Sequence, residues 1–168
     1  ITGGTRNDSF GDGYFYEIFS ASGTMTATGP VTIDLLVCGG GGSSGKPYAI
    51  SGGNNATCGG GGGGGWTGIA GLTVAAGDFN VTIGAGGAVP PAENGVGAVG
   101  GDTSVPILLQ DGTTVLFGAG GGGIGGRGVN HIDAGGAGRI APNVNNSITY
   151  SNVVGSGGGG GGGGVWTT

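Results

Sequence analysis

Residues 38–47, CGGGGSSGKP, have the spacing of a phosphate-binding loop, because an apolar run is followed by glycines and a lysine. Gly40, Gly45 and Lys46 match the pattern G-x-x-x-x-G-K-[ST] up to its last position. That position is Pro47, which has no hydroxyl for Mg²⁺, and no helix-forming sequence follows to direct amides at a phosphate. We interpret the match as an accident of a chain with 51 glycines, and we predict no nucleotide or other cofactor.

Residue types that could do catalysis are present without a recognisable arrangement. His131 and Asp133 would share one face of a strand, but no motif places a nucleophile beside them. The nine acidic residues are dispersed, whereas glycosidase chemistry needs two carboxylates at a fixed separation. Two cysteines and one histidine lack the close pairs of a zinc site. The sequence therefore predicts neither an enzyme nor a metal protein.

The two cysteines each stand directly before a glycine tract. If those tracts lie side by side in the same direction, Cys38 and Cys58 meet at the same level, and we predict a disulfide between them; two unrelated thiols are the alternative. Four N-x-[ST] triplets offer candidate N-glycosylation sites, at Asn7, Asn55, Asn80 and Asn145. A disulfide and glycans together favour an extracellular location.

Composition and charge argue against several classes of partner and several classes of structure. The net charge is −5, and the four basic residues are scattered, so no basic patch is available for nucleic acid. No apolar run approaches the roughly 20 residues of a membrane helix, so no membrane insertion is expected. Glycine does not recur at every third position through the chain, which excludes collagen. Low charge and abundant Val, Ile and Leu argue against disorder.

The pattern of apolar residues and glycines along the sequence predicts an all-β fold with essentially no α-helix. Almost every segment either alternates in hydropathy or is broken by glycine, which disfavours helices. Three antiparallel strands are predicted in a β-rich N-terminal region, residues 1–38, at 14–19, 23–28 and 31–38, with Gly29-Pro30 as the turn between the last two. Two hairpins are predicted beyond it, one pairing 72–76 with 79–83 across Gly77-Asp78 and one pairing 105–109 with 113–117.

Uninterrupted glycine tracts alternate with these strands, at 39–42, 59–65, 120–123 and 157–164. Ordering them costs about 1 to 2 kcal/mol of backbone entropy per residue, so a stable structure must offset that cost. Stacked polyglycine II helices, which have three residues per turn, would do so by pairing their outward amides with neighbouring tracts. We therefore predict one glycine-rich domain over 1–168, in which antiparallel strands combine with stacked polyglycine helices.

The order of these blocks resembles a known family. Residues 1–5, 14–19, 22–27 and 31–38, followed by glycines, and then LTVAAGDFNVTIGAGG at 72–87, are similar to the glycine-rich domain of bacterial, environmental and phage fibre proteins. The resemblance implies a sandwich of polyglycine helices. In relatives on phage tail-fibre tips, variable loops of such a sandwich contact the host receptor.

Two functions follow as expectations. The first is a structural subunit of an extracellular filament or fibre, which binds copies of itself by stacking or strand exchange and carries covalent glycans. The alternative is an adhesin of a phage tail fibre or cell surface, which binds a receptor through the loops 46–57, 88–94 and 126–146. Candidate recognition residues in these loops are Tyr48, Asn54, Arg127, His131, Asp133 and Arg139.

Overall fold

The chain forms short strands, and the residues that the structure describes contain no helix. The computed structural model describes residues 1–7, 14–46, 58–93 and 95–126 and the backbone of 154–156. Nine strands lie there: β1 Thr5–Asn7, β2 Tyr16–Ile18, β3 Gly23–Ala27, β4 Val31–Cys38, β5 Trp66–Val74, β6 Gly77–Val81, β7 Thr103–Leu108, β8 Thr114–Ala119 and β9 Val154–Ser156. The all-β prediction is confirmed. None of the described residues forms a helix suited to crossing a membrane.

The strands form two facing layers in which all pairs are antiparallel. β5 lies between β4 and β9 in one layer. In the other, β3 pairs with β6 and β7 with β8, and a bridge between Thr82 and Ser104 joins β6 to β7. The layers meet where β8 contacts β4 and β5, and the Thr67 hydroxyl donates to the Gly118 carbonyl at 2.7 Å. A separate pair is formed by β1 and β2.

One hydrophobic core fills the space between the layers. Alternate residues of β7 and most alternate residues of β8 face inward, as expected for strands with one covered face. The buried apolar side chains are Met25, Ala27, Val37, Ile69, Leu72, Val74, Phe79, Val81, Val105, Ile107, Leu109, Val115, Phe117 and Ala119. This core therefore belongs to the strand region alone.

Strand positions agree with the sequence prediction better than strand partners do. The hairpin predicted between 105–109 and 113–117 is confirmed as β7 and β8. The pairs predicted across Gly29-Pro30 and across Gly77-Asp78 are both wrong, because β3 pairs with β6 and β4 pairs with β5. Asp78 lies within β6, where its carboxylate accepts a hydrogen bond from the Thr26 hydroxyl at 2.7 Å.

Five glycine-rich segments extend the strands beyond the hydrophobic core: segment I (39–46), segment II (59–65), segment III (84–87), segment IV (95–101) and segment V (120–126). The predicted tracts 39–42, 59–65 and 120–123 lie in segments I, II and V, whereas the tract 157–164 lies outside the described residues. Segments III and IV are not among the predicted tracts, because alanine and valine interrupt them.

Segment I is the centre of the glycine bundle, because hydrogen bonds join it to the other four segments. Every third amide of segment I donates to a carbonyl of segment II. These bonds run from Gly39 to Gly65, from Gly42 to Gly62 and from Gly45 to Gly59, at 2.8 to 3.1 Å. The amides one residue further along segment I donate to carbonyls of segment IV. These bonds run from Gly40 to Gly101, from Ser43 to Ala98 and from Lys46 to Gly95, at 2.8 to 3.0 Å. Segment I carbonyls accept from segments V and III, in the pairs Gly122–Gly40, Gly125–Ser43 and Gly87–Gly41.

The outer segments are bonded to one another with the same spacing. Segment II donates to segment V from Gly59, Gly62 and Gly65 to Gly126, Gly123 and Gly120. Segment IV donates to segment V from Gly97 and Gly100, and to segment III from Gly101. A period of three is the period of the polyglycine II helix, and the helical geometry itself stays a prediction.

The glycine bundle continues the register of the strands. In one layer Cys38 lies opposite Trp66, and the next hydrogen bond joins Gly39 to Gly65. β7 and β8 continue in the same manner into segments IV and V. The strands therefore set which glycine residues meet.

Candidate functional site

The end of the bundle far from the strands gathers the described ends of all three predicted loops. Lys46 precedes the first loop, and its amide donates to the Gly95 carbonyl, after the second loop, at 2.8 Å. Gly59 lies just beyond the first loop, and its amide donates to Gly126, where the third begins, at 2.8 Å. We call this the loop end.

The loop end is also fixed by side chains. The Lys46 ammonium donates to the Pro91 carbonyl at 3.1 Å, which joins the first loop to the second. The Ser43 hydroxyl donates to the Ala88 carbonyl at 2.7 Å and accepts from the Ala98 amide at 2.8 Å. Ser43 is buried, and it holds Ala88, the first residue of the 88–94 loop, and Ala98 of segment IV against segment I.

Two further side chains bond the start of β7 to the bundle. The Asp102 carboxylate accepts from the Gly121 amide at 3.0 Å, and the Thr103 hydroxyl oxygen accepts from the Gly84 amide at 2.9 Å. Sequence reasoning missed Ser43, Asp102 and Thr103. A polar residue at the border of a glycine tract is the signal that could have found them, since short polar side chains readily bond nearby backbone groups.

The candidate recognition residues lie in the loops themselves, outside the described residues; they are Tyr48, Asn54, Arg127, His131, Asp133 and Arg139. The described loop residues are Lys46, Gly126 and 88–93, the last of which is exposed at nearly every position. The structure thus brings the described ends of the three loops together at one end of the bundle.

The predicted Cys38–Cys58 disulfide is not formed, and both thiols are free. The prediction assumed that the two glycine tracts run in the same direction, and this is wrong, because segments I and II run in opposite directions. Cys38 lies where the strands enter the bundle, opposite Trp66. Cys58 precedes Gly59, which is paired with Gly45 at the loop end. At about 3.1 Å per residue, roughly 20 Å of glycine segment separates the two levels.

The four candidate glycosylation sites fall in different places. Asn80 is exposed in β6, so its side chain has the outward face that a glycan requires. Asn7 ends β1 and is half-buried. Asn55 and Asn145 lie outside the described residues.

Most amides of the phosphate-loop-like stretch already have acceptors within the chain, including those of its three matching glycine and lysine positions. Gly40, Gly42 and Gly45 donate to Gly101, Gly62 and Gly59. This glycine run serves as the centre of a bundle rather than as a cradle. Among the residues that the structure describes, no group of three or more His, Cys, Asp or Glu residues could hold a metal ion.

The comparisons with known proteins give a family and no individual relative. A model of the glycine-rich domain matches residues 20–168. No curated protein and no solved structure matches the chain.

Proposed function

Because this chain belongs to the glycine-rich domain family, we propose that it is a structural subunit of an extracellular filament or fibre, assembled by stacking or strand exchange between copies. Glycans at exposed asparagines would decorate the outside of such a filament.

The observation that carries this proposal is an exposed apolar patch on the paired strands β4 and β5, next to the outer edge of β4. Leu36 is 67% exposed and Trp66 is 40% exposed. Both side chains lie beside Gly68, so they form one patch rather than two scattered residues. In the described residues β4 has no neighbour on its second edge. A long edge strand beside an apolar patch favours pairing with another chain.

The proposal is tested by following self-association of the native chain. Sedimentation velocity over a wide concentration series, with electron microscopy of the same samples, should show assembly that grows with concentration. Leu36→Lys should weaken it, whereas Thr32→Lys, on the same exposed face of β4, serves as the matched control. Stable monomers at every concentration would contradict the filament.

A second candidate function is the adhesin, and the loop end supports it. Three loops leave a rigid, hydrogen-bonded scaffold side by side, which is the arrangement that lets a binding surface vary while the fold stays fixed. Their partner would be a receptor on a cell surface.

The adhesin is tested by exchanging loop 127–146 for a glycine and serine linker of equal length. Loss of cell binding at an unchanged melting temperature would favour recognition by the loops. Unchanged binding would exclude this loop from any receptor site.

A further inference from the structure

The register of a strand pair continues unchanged into the glycine segments that extend it. The pair β4 and β5 ends with Cys38 opposite Trp66. The bundle keeps this register, without a slip, to the far end of segment II, in the pairs Gly39–Gly65, Gly42–Gly62 and Gly45–Gly59.

Two other contacts between strands behave in the same way. The pair β7 and β8 places Thr103 opposite Ala119. Segments IV and V keep that register, in the pairs Gly100–Gly122 and Gly97–Gly125. The bridge between β6 and β7 places Thr82 opposite Ser104. Segments III and IV keep that register too, in the pair Gly101–Ala85. The register of the strands therefore predicts which residues of the adjoining segments lie at the same level.

A fourth strand pair leads toward the bundle on the other edge of β5. There β9 pairs with β5 in the antiparallel direction, and Ser156 lies opposite Trp66. Cys38 lies at this same level on the first edge of β5. Residues 157–164, which follow Ser156 directly, are eight consecutive glycines. The same rule of register would place Gly157 level with Gly65 and Gly163 level with Gly59.

The composition of residues 157–164 suits a place in the bundle. Where two segments touch, the backbones approach too closely for a side chain. At Gly61 and Gly64 of segment II, for example, an added Cβ would overlap the carbonyl oxygens of Gly42 and Gly39. A segment that enters the bundle must therefore have glycine wherever it touches a neighbour. Residues 157–164 meet this requirement at every position, and their run is long enough to follow the whole of segment II.

We propose that residues 157–164 form a sixth segment of the bundle, docked along segment II of the same chain in the register that β9 sets on β5. Because this segment would run from the strands toward Gly59, it brings residues 165–168 to the loop end. The loop end then gathers a fourth chain segment, which includes Trp166, beside the three loops. The inference concerns a single chain and rests on neither proposed function.

The first test measures where Trp166 lies along the bundle. In a Trp66→Phe variant it is the sole tryptophan, and the two free cysteines provide matched positions for a fluorescent acceptor. One preparation carries the acceptor on Cys58, at the loop end, with Cys38→Ser. The other carries it on Cys38, where the strands enter the bundle, with Cys58→Ser. Energy transfer should be severalfold more efficient to Cys58, because roughly 20 Å of glycine segment separates the two labels.

Equal transfer to the two labels, or stronger transfer to Cys38, would overturn the proposal. Mixing either labelled chain with an excess of unlabelled chain should leave the transfer unchanged. Transfer that disappears on mixing would place the tract on a second copy, and this result would also overturn the proposal.

A second test moves Trp166 by a known length. Deleting residues 158–160 removes one turn of three residues, so the period of the bundle is kept while Trp166 should move about 9 Å back along segment II. Transfer to Cys58 should fall, and transfer to Cys38 should rise. Transfer that the deletion does not change would show that residues 157–164 do not follow segment II. Both measurements are made on dilute chains, so the outcome does not depend on whether copies form a filament.

Discussion

The strand region and the glycine bundle share one register but are stabilised in opposite ways. In the strand region, the largest fully buried side chains are Val74, Ile107, Val115 and Phe117. In the bundle, most of the buried positions of segments I, II, IV and V are glycines, and backbone carbonyls occupy the space that side chains would take. Side-chain burial stabilises one half, and backbone pairing stabilises the other.

The difference shows how a chain with few large side chains can build an ordered domain. Hydrophobic burial contributes about 25 cal/mol per Å² of apolar surface, and each backbone hydrogen bond contributes a net of about 1 kcal/mol. Glycine loses more backbone entropy on folding than any other residue. The glycine bundle is therefore less stable than the strand region. We infer that the strands nucleate the bundle by fixing the register at Gly39 and Gly120.

The largest expected effect comes from removing a side chain of the strand region. Phe117→Ala should lower the free energy of unfolding by about 3 to 5 kcal/mol, because Phe117 is completely buried. Since β8 continues directly into segment V, protection of the segment V amides should fall with it. Chemical denaturation and amide hydrogen exchange measure the two effects.

Leu116→Ala is the control for this comparison, since Leu116 is the preceding residue of β8 and is 36% exposed. It should cost much less than Phe117→Ala. Unchanged exchange of the segment V amides in Phe117→Ala would show that the bundle folds independently of the strands.

A slightly smaller effect is expected from adding one methyl group to the bundle. In Gly100→Ala the new Cβ would overlap the carbonyl oxygen of Gly40, and neither backbone can move without breaking hydrogen bonds. Such overpacking should cost about 3 kcal/mol. Gly63→Ala should leave the stability of the monomer unchanged or raise it by about 0.4 to 1 kcal/mol, because no described atom lies within 4 Å of the added Cβ and the unfolded chain becomes less flexible.

Thermal unfolding of the two alanine variants under monomeric conditions makes the contrast quantitative. Equal losses would mean that the bundle responds to glycine content in general. A larger loss of stability in Gly100→Ala than in Gly63→Ala would show that the stability of the bundle depends on the particular positions at which backbones touch.

The sequence predicted strand positions because short apolar and β-branched runs bounded by turn residues are a local pattern, as in β7 and β8. It predicted the wrong partners for β3 and β4, because each pairs with a strand far along the chain and hydropathy does not encode that choice. The disulfide prediction failed for the same reason. Two glycine tracts look alike in either direction, and only the strand pair β4 and β5 makes segments I and II antiparallel.

Segment IV could have been recognised from its sequence. In GVGAVGG, residues 95–101, the glycines at 97 and 100 are three apart, and so are the valines at 96 and 99. A search for uninterrupted glycine misses this spacing, although it is the same period that the hydrogen bonds of the bundle follow. The loop end was less predictable, because the loops are distant in sequence and only the bundle brings their ends together.

The smallest of the three effects tests whether a single side chain matters in a region made of backbone. Ser43→Ala leaves the Ala98 amide and the Ala88 carbonyl without their partners in the bundle, which should cost about 1 to 3 kcal/mol. Ser44→Ala is the matched control, since Ser44 is exposed and neighbours Ser43. The difference in unfolding free energy between the two variants isolates the buried hydroxyl. If both serines were equally dispensable, the 88–94 loop would be held by backbone pairing and by the Lys46 side chain, and the buried Ser43 hydroxyl would not be needed at the loop end.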